Sequence, residues 1–224
     1  MKIINASFEI VNEDRINGKE ILRDIERVGR TCYKSENEIT DDSSEKFVKM
    51  LIDRGHEAMI EHNAISVRFI CDRGVSHELV RHRLASFGQE STRYCNYSKN
   101  KFGNELTFIK PCFWDEDTIE YDRWKIAMRQ AEANYLELIR LGAKPQEARS
   151  VLPNSIKTEI VMTMNLREWR HFFSLRCDTP AHPQMRELAI PLLKEMHELI
   201  PVVFDDLTDI ILEMSKEECY NGKF

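Results

Sequence analysis

Two stretches of the chain, residues 65–69 and residues 155–163, alternate apolar and polar side chains with the period of two that is typical of half-buried β-strands. In the first of them, Ile65, Val67 and Phe69 alternate with polar residues. Residues 1–11 are predicted to form a third strand, from a short apolar run at Ile3 and Ile4 and the apolar residues Phe8, Ile10 and Val11. The alternation predicts that one face of each strand is buried.

Apolar residues three and four positions apart predict helices over much of the remaining chain. The strongest case is 115–141, with Ile119, Ile126, Tyr135, Leu138 and Ile139 as the apolar signal and Gly142 at the end. The other predicted helices are 19–30, a helix capped by Asp42-Ser43-Ser44 that carries Phe47, Met50 and Leu51, a short helix from Gly74 through Leu84, a helix that begins at Pro145 and stops near Leu152, residues 166–176 capped by Asn165, and 184–199 with a bend at Pro191.

These elements predict an α+β fold, because strands mingle with helices without a regular strand–helix–strand repeat. We expect a single domain over residues 1–224, with a central, mainly antiparallel sheet flanked by helices. The eight glycines are scattered, and they form neither the GxGxxG fingerprint nor a phosphate-binding P-loop. The sequence therefore predicts no Rossmann motif.

The net charge of the chain argues against polyanionic binding partners. The formal net charge is −6, so a general attraction to nucleic acid or to an anionic membrane is not expected. From the opening Met1-Lys2-Ile3-Ile4-Asn5 we expect no signal peptide, and the sequence has no apolar run of membrane-spanning length. Its six cysteines include no Cys-x-x-Cys pair, and we expect free thiols in a reducing cytoplasm.

Cationic and hydroxyl side chains are concentrated in residues 81–93. The run Arg81-His82-Arg83 is predicted to lie toward the C-terminal end of the short helix, and Ser86 to about Asn104 is predicted to be a binding loop. Guanidinium forks and hydroxyls match the oxygens of a phosphate or carboxylate. We interpret the cluster as a site for a small anionic ligand. A solvated helix end and a nucleic-acid surface are the alternatives.

A second basic segment covers residues 165–176. On a helix, Arg167 and His171 are four residues apart and share one face, Trp169 can face the core, and Arg176 falls at the helix end. An ordinary amphipathic helix with a solvated basic face is the alternative interpretation. Two arginine-bearing segments in one small chain favour convergence on a common ligand.

The spacing of histidines does not support a metal site. The zincin pattern needs a second histidine four residues after the first, but Ile60 stands four residues after His56, and Arg81 four after His77. We therefore interpret His56, His62 and His77 as structural and expect no metal. A Ser-His-Asp triad stays open, although the chain has no Gly-x-Ser-x-Gly elbow.

The basic cluster fits the pattern Arg-His-Arg-x-x-Ser-x-x-x-x-Ser-x-Arg at every fixed position, from Arg81 to Arg93. This pattern resembles the signature of the flavin-dependent thymidylate synthases. Further segments that resemble the family, in the family's order, are Gly55-His56-Glu57 with Glu61-His62, Glu147-Ala148-Arg149 with Val151-Leu152-Pro153, Asn165-x-Arg167, and Leu175-Arg176. The resemblance covers about residues 50–195.

The resemblance implies an enzyme that methylates dUMP to dTMP with a one-carbon unit from 5,10-methylenetetrahydrofolate. It implies that FAD, reduced by NADPH, carries the hydride and that no cysteine acts as nucleophile. It also implies an α+β fold without a Rossmann domain, and a homotetramer in which neighbouring subunits jointly build each FAD and dUMP site.

Individual residues receive roles from the same resemblance. The residues expected at FAD are Ala58, Arg81, His82, Arg83, Gln89, Asn165, Arg167 and His171. The residues expected at dUMP are Glu78, Arg81, Gln89, Glu90, Ser91, Thr92, Arg93, Arg149 and Arg176. Ser91 and Arg93 suit the phosphate. Arg176 is expected to be catalytic, facing the uracil and favouring its N3-deprotonated form.

Three positions depart from the family pattern. Glu78 stands where many relatives have Gln, and Gln89 stands where others carry Glu. Ala58 stands where Ser or Thr is common, so an FAD contact there is expected through the backbone. Two further hypotheses remain. One is a regulatory module that binds dUMP without turnover, and the other is a nucleic-acid-binding protein.

Overall fold

The computed structural model describes residues 1–98 and 105–208. Its strands are β1 (Lys2–Ile4), β2 (Ser7–Ile10), β3 (Ala64–Asp72), β4 (Ala85–Gln89), β5 (Thr107–Ile109) and β6 (Lys157–Asn165). Its helices are α1 (Gly18–Tyr33), α2 (Ser43–Asp53), α3 (Arg73–Leu79), α4 (Ile119–Arg140), α5 (Pro145–Ala148), α6 (Leu166–Arg176), α7 (Pro183–Leu199) and α8 (Pro201–Phe204). Short 3₁₀ turns include Glu57–His62 and Arg149–Val151.

The described strands form two sheets. One has the order β2-β3-β6-β4, and the other is the parallel pair of β1 and β5, in which Lys2 lies opposite Thr107. The predicted α+β class, a mainly antiparallel sheet flanked by helices, is confirmed. The prediction of one strand over 1–11 is wrong. Adjacent apolar residues Ile3 and Ile4 already break the alternation, and the two halves of the segment join different sheets.

The described chain divides into two compact units. The first unit contains Met1–Glu9, Arg68–Arg83 and the described part of Phe87–Met162, and the second contains Ile10–Val67, Leu84–Ser86 and residues 163–208. Among the helices of residues 1–98 and 105–208, none combines the length and apolar character that crossing a membrane requires.

The long helix α4 supplies much of the core of the first unit. Its buried residues are Tyr121, Trp124, Met128 and Tyr135, and they pack with Tyr97, Leu106, Phe108, Ala148 and Ile156. Two of the apolar residues that predicted the helix lie outside this core, since Ile119 is 74% exposed and Ile126 is 55% exposed. The large aromatic side chains decide the buried face, because each buries more apolar area than an isoleucine does.

The core of the second unit is organised around α6. The side chains of Trp169, Phe172 and Phe173 are fully buried, and Phe204 of α8 packs edge-on against Phe173 with ring centroids 5.7 Å apart. The indole Nε1 of Trp169 donates a hydrogen bond to the carbonyl oxygen of Ile65 at 3.1 Å. The one polar atom of this aromatic cluster is therefore satisfied by the β3 backbone.

Two predicted helix caps have different outcomes. Asn165 caps α6 as predicted, and its Oδ1 accepts a hydrogen bond from the backbone N–H of Glu168 at 2.9 Å. Asp42 precedes α2, but its side chain makes no capping hydrogen bond. Ser43 Oγ accepts a hydrogen bond from the backbone N–H of Thr40 at 2.8 Å, which fixes the chain before the helix but does not cap it.

A buried arginine of α6 ties three segments of the second unit together. Arg170 donates from Nη1 and Nη2 to the two carboxylate oxygens of Asp206, at 2.7 and 2.8 Å. It also donates to Glu57 at 3.2 Å and to the carbonyl oxygen of Val203 at 2.6 Å. The hydrogen bond from Arg170 lowers the pKa of Asp206. Burial acts to lower the pKa of Arg170, but Asp206 and Glu57 outweigh it and raise that pKa.

We expect Asp206→Asn to lower the free energy of unfolding by about 1 kcal/mol at about pH 7, a small value because Asp206 is half exposed and solvent screens the pair. The folded pKa of Asp206 lies below its unperturbed value of 3.8. Its stabilising effect is thus present above that value and is lost as the pH falls through the folded pKa. Urea unfolding at about pH 7 and about pH 3 should show the wild-type advantage shrinking at the lower pH.

A matched control is Asp24→Asn, which removes the exposed pair of Asp24 with Arg27 one helical turn away. We expect it to leave the free energy of unfolding nearly unchanged at both pH values. An Asp206→Asn effect of the same size at both pH values would contradict the prediction.

Candidate functional site

The arginine–histidine run lies after α3 and not on it. Helical hydrogen bonding stops near Leu79, and the backbone N–H of Arg81 closes a three-residue turn on the carbonyl oxygen of Glu78 at 3.1 Å. The prediction that Arg81 to Arg83 belong to the helix is therefore wrong. In the turn, Arg81 and Arg83 are exposed, whereas His82 is buried. The turn presents two guanidinium groups to solvent.

Part of the predicted binding loop is a strand. The structure has β4 where the loop was predicted to begin, and the backbone N–H of Glu90 bonds to the carbonyl oxygen of Glu159 on β6 at 2.8 Å. The middle residues of β4, from Ser86 to Gly88, are exposed. A strand without a buried face shows no apolar alternation, so its pattern could not predict it. Residues 91–98 do form turns and loop, and 99–104 lie outside the described residues.

Two hydroxyl groups orient the side chain of Gln89 at the end of β4. Its Nε2 donates to Ser76 Oγ at 2.9 Å and to Thr158 Oγ1 at 3.2 Å. The hydroxyl hydrogen of Ser76 is already donated to the carbonyl oxygen of Arg73 at 3.0 Å. Ser76 can therefore only accept from Gln89, which fixes the amide orientation. The amide nitrogen of Gln89, and not its carbonyl oxygen, therefore makes both hydroxyl contacts.

Protein donors hold both carboxylate oxygens of Glu90. Oε1 accepts from the hydroxyl of Tyr97 at 2.9 Å, and Oε2 accepts from Lys157 Nζ at 3.1 Å. The side chains of Glu90 and Lys157 are 14% and 19% exposed. Burial and the nearby charge of Glu90 raise the pKa of Tyr97, so its hydroxyl stays a donor. Lys157 also donates to Glu159 at 2.6 Å.

A hydrogen bond joins two segments that the family resemblance assigns to dUMP. Arg149 Nη1 donates to Thr92 Oγ1 at 3.3 Å, across a separation of 57 residues. Arg149 begins the 3₁₀ turn that follows α5, and α5 starts at Pro145 as predicted. Ser91 Oγ accepts from the backbone N–H of Arg93 at 3.3 Å. The structure thus places Arg149 beside the segment of residues 91–93.

Four arginines of the first unit carry charge that no neighbouring carboxylate offsets. Arg81, Arg83, Arg93 and Arg149 are exposed, and among residues 1–98 and 105–208 no carboxylate lies within ion-pair distance of them. Arg30, by contrast, pairs with two carboxylates. Free guanidinium groups bind phosphate oxygens two at a time. Such exposed donors suit a ligand that carries phosphate groups.

The second unit presents the other predicted flavin residues. Arg167 and His171 are both exposed and lie four residues apart on α6. Arg167 donates to Glu61 at 2.6 Å and lies 3.5 Å from a carboxylate oxygen of Glu57. These pairs fasten α6 to the 3₁₀ turn that exposes Ala58. Two segments predicted to hold FAD are therefore joined in the structure.

The predicted site residues are thus divided into two sets. The first unit holds Glu78, Arg81, His82, Arg83, Gln89, Glu90, Ser91, Thr92, Arg93 and Arg149, and the second holds Ala58, Asn165, Arg167, His171 and Arg176. Arg176 is the last residue of α6 and is half-buried.

Sequence analysis missed four residues that contact the site. Ser76 and Thr158 orient Gln89, and Tyr97 and Lys157 hold Glu90. Thr158 had a usable signal, because a hydroxyl at a buried position of a strand needs a hydrogen-bond partner. Lys157 had none, since its partner lies 67 residues away in the chain.

Comparison with known proteins agrees with this architecture. A UMP/dUMP methylase from Streptomyces cacaoi, solved with 5-Br dUMP bound, superposes with a TM-score of 0.75 at 22% identity, over 93% of this chain and 97% of that one. The flavin-dependent thymidylate synthase of Pyrococcus furiosus is 36% identical over 184 residues, which are 82% of this chain and 72% of that protein. That of Mycobacterium avium is 34% identical over 200 residues, 81% of this chain and 78% of that protein.

The fold is therefore that of the α+β class to which the Streptomyces methylase belongs. The family described as Thymidylate synthase complementing protein matches residues 17–202. With that match and these relatives, the chain belongs to the family of flavin-dependent thymidylate synthases.

Proposed function

We propose that this protein catalyses the reductive methylation of dUMP to dTMP. In this proposal 5,10-methylenetetrahydrofolate is the carbon donor, and FAD reduced by NADPH is the hydride carrier. The observation that carries the proposal is the set of four exposed arginines in the first unit without a carboxylate partner among the described residues. They belong to a chain of the flavin-dependent thymidylate synthase family.

The proposed FAD site takes residues from both sets. Arg81, His82, Arg83 and Gln89 come from the first, and Ala58, Asn165, Arg167 and His171 from the second. Arg81 and Arg83 supply charge for the pyrophosphate. The Oδ1 of Asn165 accepts the capping hydrogen bond of α6, so the side chain offers its amide N–H groups to a ligand. Bound FAD supplies the hydride chemistry, and the protein supplies binding and orientation.

The proposed dUMP site is centred on the Thr92–Arg149 hydrogen bond. Ser91, Arg93 and Arg149 bind the phosphate, and the carbonyl oxygen of Gln89 accepts from an N–H or O–H of the nucleoside. Glu78, Arg81, Glu90 and Thr92 line the same site. Arg176 faces the uracil and stabilises the negative charge that develops when N3 is deprotonated. Electron density then shifts toward the carbon that receives the methyl group.

The buried thiols agree with a mechanism that uses no cysteine nucleophile. Burial raises the pKa of Cys177, next to Arg176, to about 12, and burial also raises the pKa of Cys71. A thiol attacks carbon as its thiolate, and at neutral pH both groups stay protonated. We infer that activation of the uracil falls to the arginine and not to the adjacent cysteine.

The proposal extends to the assembly and the setting. We infer a single functional domain over residues 1–224 that forms a homotetramer, in which each FAD and dUMP site is shared between subunits. The cytoplasm is the inferred compartment. An apparent mass four times that of the 26.4 kDa chain in analytical ultracentrifugation is the expected result.

The experiment that tests the function is a spectral assay of the purified protein. We expect flavin absorbance, bleaching by NADPH without oxygen, and recovery of the oxidised spectrum with dTMP formation when dUMP and methylenetetrahydrofolate are added. Arg149→Ala should weaken dUMP binding about tenfold, because a charge-assisted contact to phosphate is lost. Arg140→Ala is the matched control, since its guanidinium pairs with Glu137 on the surface and should not affect binding.

Two results would count against the proposed function. A colourless protein that FAD cannot reconstitute would exclude flavin chemistry. Binding of dUMP without dTMP formation, with every co-substrate supplied, would indicate a regulatory module. Affinity for oligonucleotides that rises with their length and falls steeply with salt would instead indicate a nucleic-acid-binding protein.

A further inference from the structure

The charge of Glu90 poses a problem for the proposed dUMP site. Glu90 directly precedes the segment Ser91–Arg93, which is proposed to hold the phosphate. A carboxylate this close in the chain repels a phosphate unless another charge offsets it. Its side chain is only 14% exposed, so water screens the charge weakly.

Lys157 offsets this charge from the neighbouring strand. Its Nζ lies 3.1 Å from Glu90 Oε2, and its own side chain is 19% exposed. Burial acts to lower the pKa of Lys157, but Glu159 and Glu90 outweigh it and raise that pKa, so the side chain remains a cation at neutral pH. Tyr97 holds the other oxygen of Glu90 but carries no charge.

The contacts also fix the position of Glu90. The backbone N–H of Glu90 bonds to the carbonyl oxygen of Glu159 at 2.8 Å, and the Lys157 contact secures the side chain to the same strand. Glu90 is thus fixed beside β6. The chain continues from it to Thr92, whose hydroxyl accepts a hydrogen bond from Arg149. Glu90 therefore anchors the segment Ser91–Arg93 and places a negative charge directly before it in the chain.

We propose that Lys157 is a positioning residue for substrate binding, an inference that rests on the proposed function. Lys157 neutralises the charge of Glu90 and anchors Glu90 to β6. The segment Ser91–Arg93, together with Arg149, then presents net positive charge to the phosphate of dUMP. Glu159 also contacts Lys157, but it is 43% exposed and its charge is better screened by solvent. Glu90 lines the proposed dUMP site, but Tyr97 and Lys157 hold its two carboxylate oxygens, so in this scheme it acts on dUMP through its charge.

The test compares dUMP dissociation constants by calorimetry in the intact, FAD-loaded protein. We expect Lys157→Met to weaken binding about tenfold, because Glu90 is left as an uncompensated charge near the phosphate. The double change Lys157→Met with Glu90→Gln should return the constant to within about threefold of the wild type, since the charge is then removed as well. Lys157→Arg should bind nearly as well as the wild type. A pair that only stabilised the fold would leave the dUMP dissociation constant of a folded Lys157→Met protein unchanged.

Two further variants keep the test decisive. Lys110→Met removes a lysine of the same unit that pairs with the exposed Glu116, and it should leave dUMP binding unchanged. If Lys157→Met does not fold, Glu90→Gln alone decides the matter. It should tighten dUMP binding about threefold, because the segment gains net positive charge.

The outcomes separate this inference from the proposed function. If the wild type binds no dUMP, both fail. If the wild type binds dUMP but Lys157→Met binds equally well, or is not rescued by Glu90→Gln, only the inference fails. Weaker binding by Glu90→Gln alone would also overturn it, since that result makes Glu90 a direct ligand.

Discussion

Replacing Arg176 with alanine is expected to lower kcat for dTMP formation by about 100-fold or more, while the affinity for FAD changes by less than about threefold. The guanidinium is proposed to stabilise charge that exists only once the uracil is deprotonated. Its loss therefore raises the barrier to reaction more than it weakens binding of the ground state. Arg176 ends α6 and is half-buried, so its charge is only partly screened by water. Single-turnover oxidation of reduced flavin, measured with saturating dUMP, separates the two effects.

Two variants sharpen this experiment. Arg176→Lys keeps a positive charge but not the planar fork, and we expect it to recover part of the lost rate. Arg167→Ala removes another arginine from the same helix, one that is 51% exposed and paired with Glu61, and it should weaken FAD binding with little change in the chemical step. Unchanged turnover in Arg176→Ala would refute its assignment to uracil activation. A parallel loss of FAD would make it a flavin ligand instead.

The elements that sequence predicted well are those whose signals are local. The cap and bounds of α6 follow from Asn165 and from an apolar face at helical spacing, and both are confirmed. Strand β3 follows from strict alternation and is confirmed as well. In these cases a residue and its partner lie within a few positions of each other, so the pattern carries the information.

The elements that sequence missed depend on distant partners. β4 has no buried face, and its pairing with β6 brings together segments far apart in the chain. Ile119 and Ile126 contributed to the helical pattern of α4 but are exposed, because packing of aromatic side chains from other segments decides which face is covered. Helical periodicity gives the existence of α4 but cannot choose between two apolar faces.

The candidate site shows the same division. The motif from Arg81 to Arg93 identifies the cationic residues, and these residues are enough to predict an anionic ligand. The motif does not reveal that Glu90 is neutralised by Lys157, or that Gln89 is oriented by Thr158. Those contacts convert a list of residue types into a site with a defined charge and a defined acceptor.

The largest expected effect on stability comes from Trp169. Trp169→Ala should lower the free energy of unfolding by about 4 kcal/mol, because it opens a cavity beside Phe172 and Phe173. It also leaves the buried carbonyl oxygen of Ile65 without its hydrogen-bond donor. Urea unfolding followed by far-ultraviolet circular dichroism measures this change without relying on tryptophan fluorescence.

Trp169→Phe and Trp114→Ala are the controls. The phenylalanine variant keeps an aromatic ring in the cluster but loses the indole N–H, so a loss of about 1 to 2 kcal/mol is expected. Trp114 is only partly buried, in the first unit, and the same change to alanine should have less than half the effect there. Since α6 carries Arg167, His171 and Arg176 and is capped by Asn165, loss of its core anchor should also weaken FAD binding. A Trp169→Ala protein that unfolds at the wild-type urea concentration would show that α6 is held by its ion pairs and not by its aromatic face.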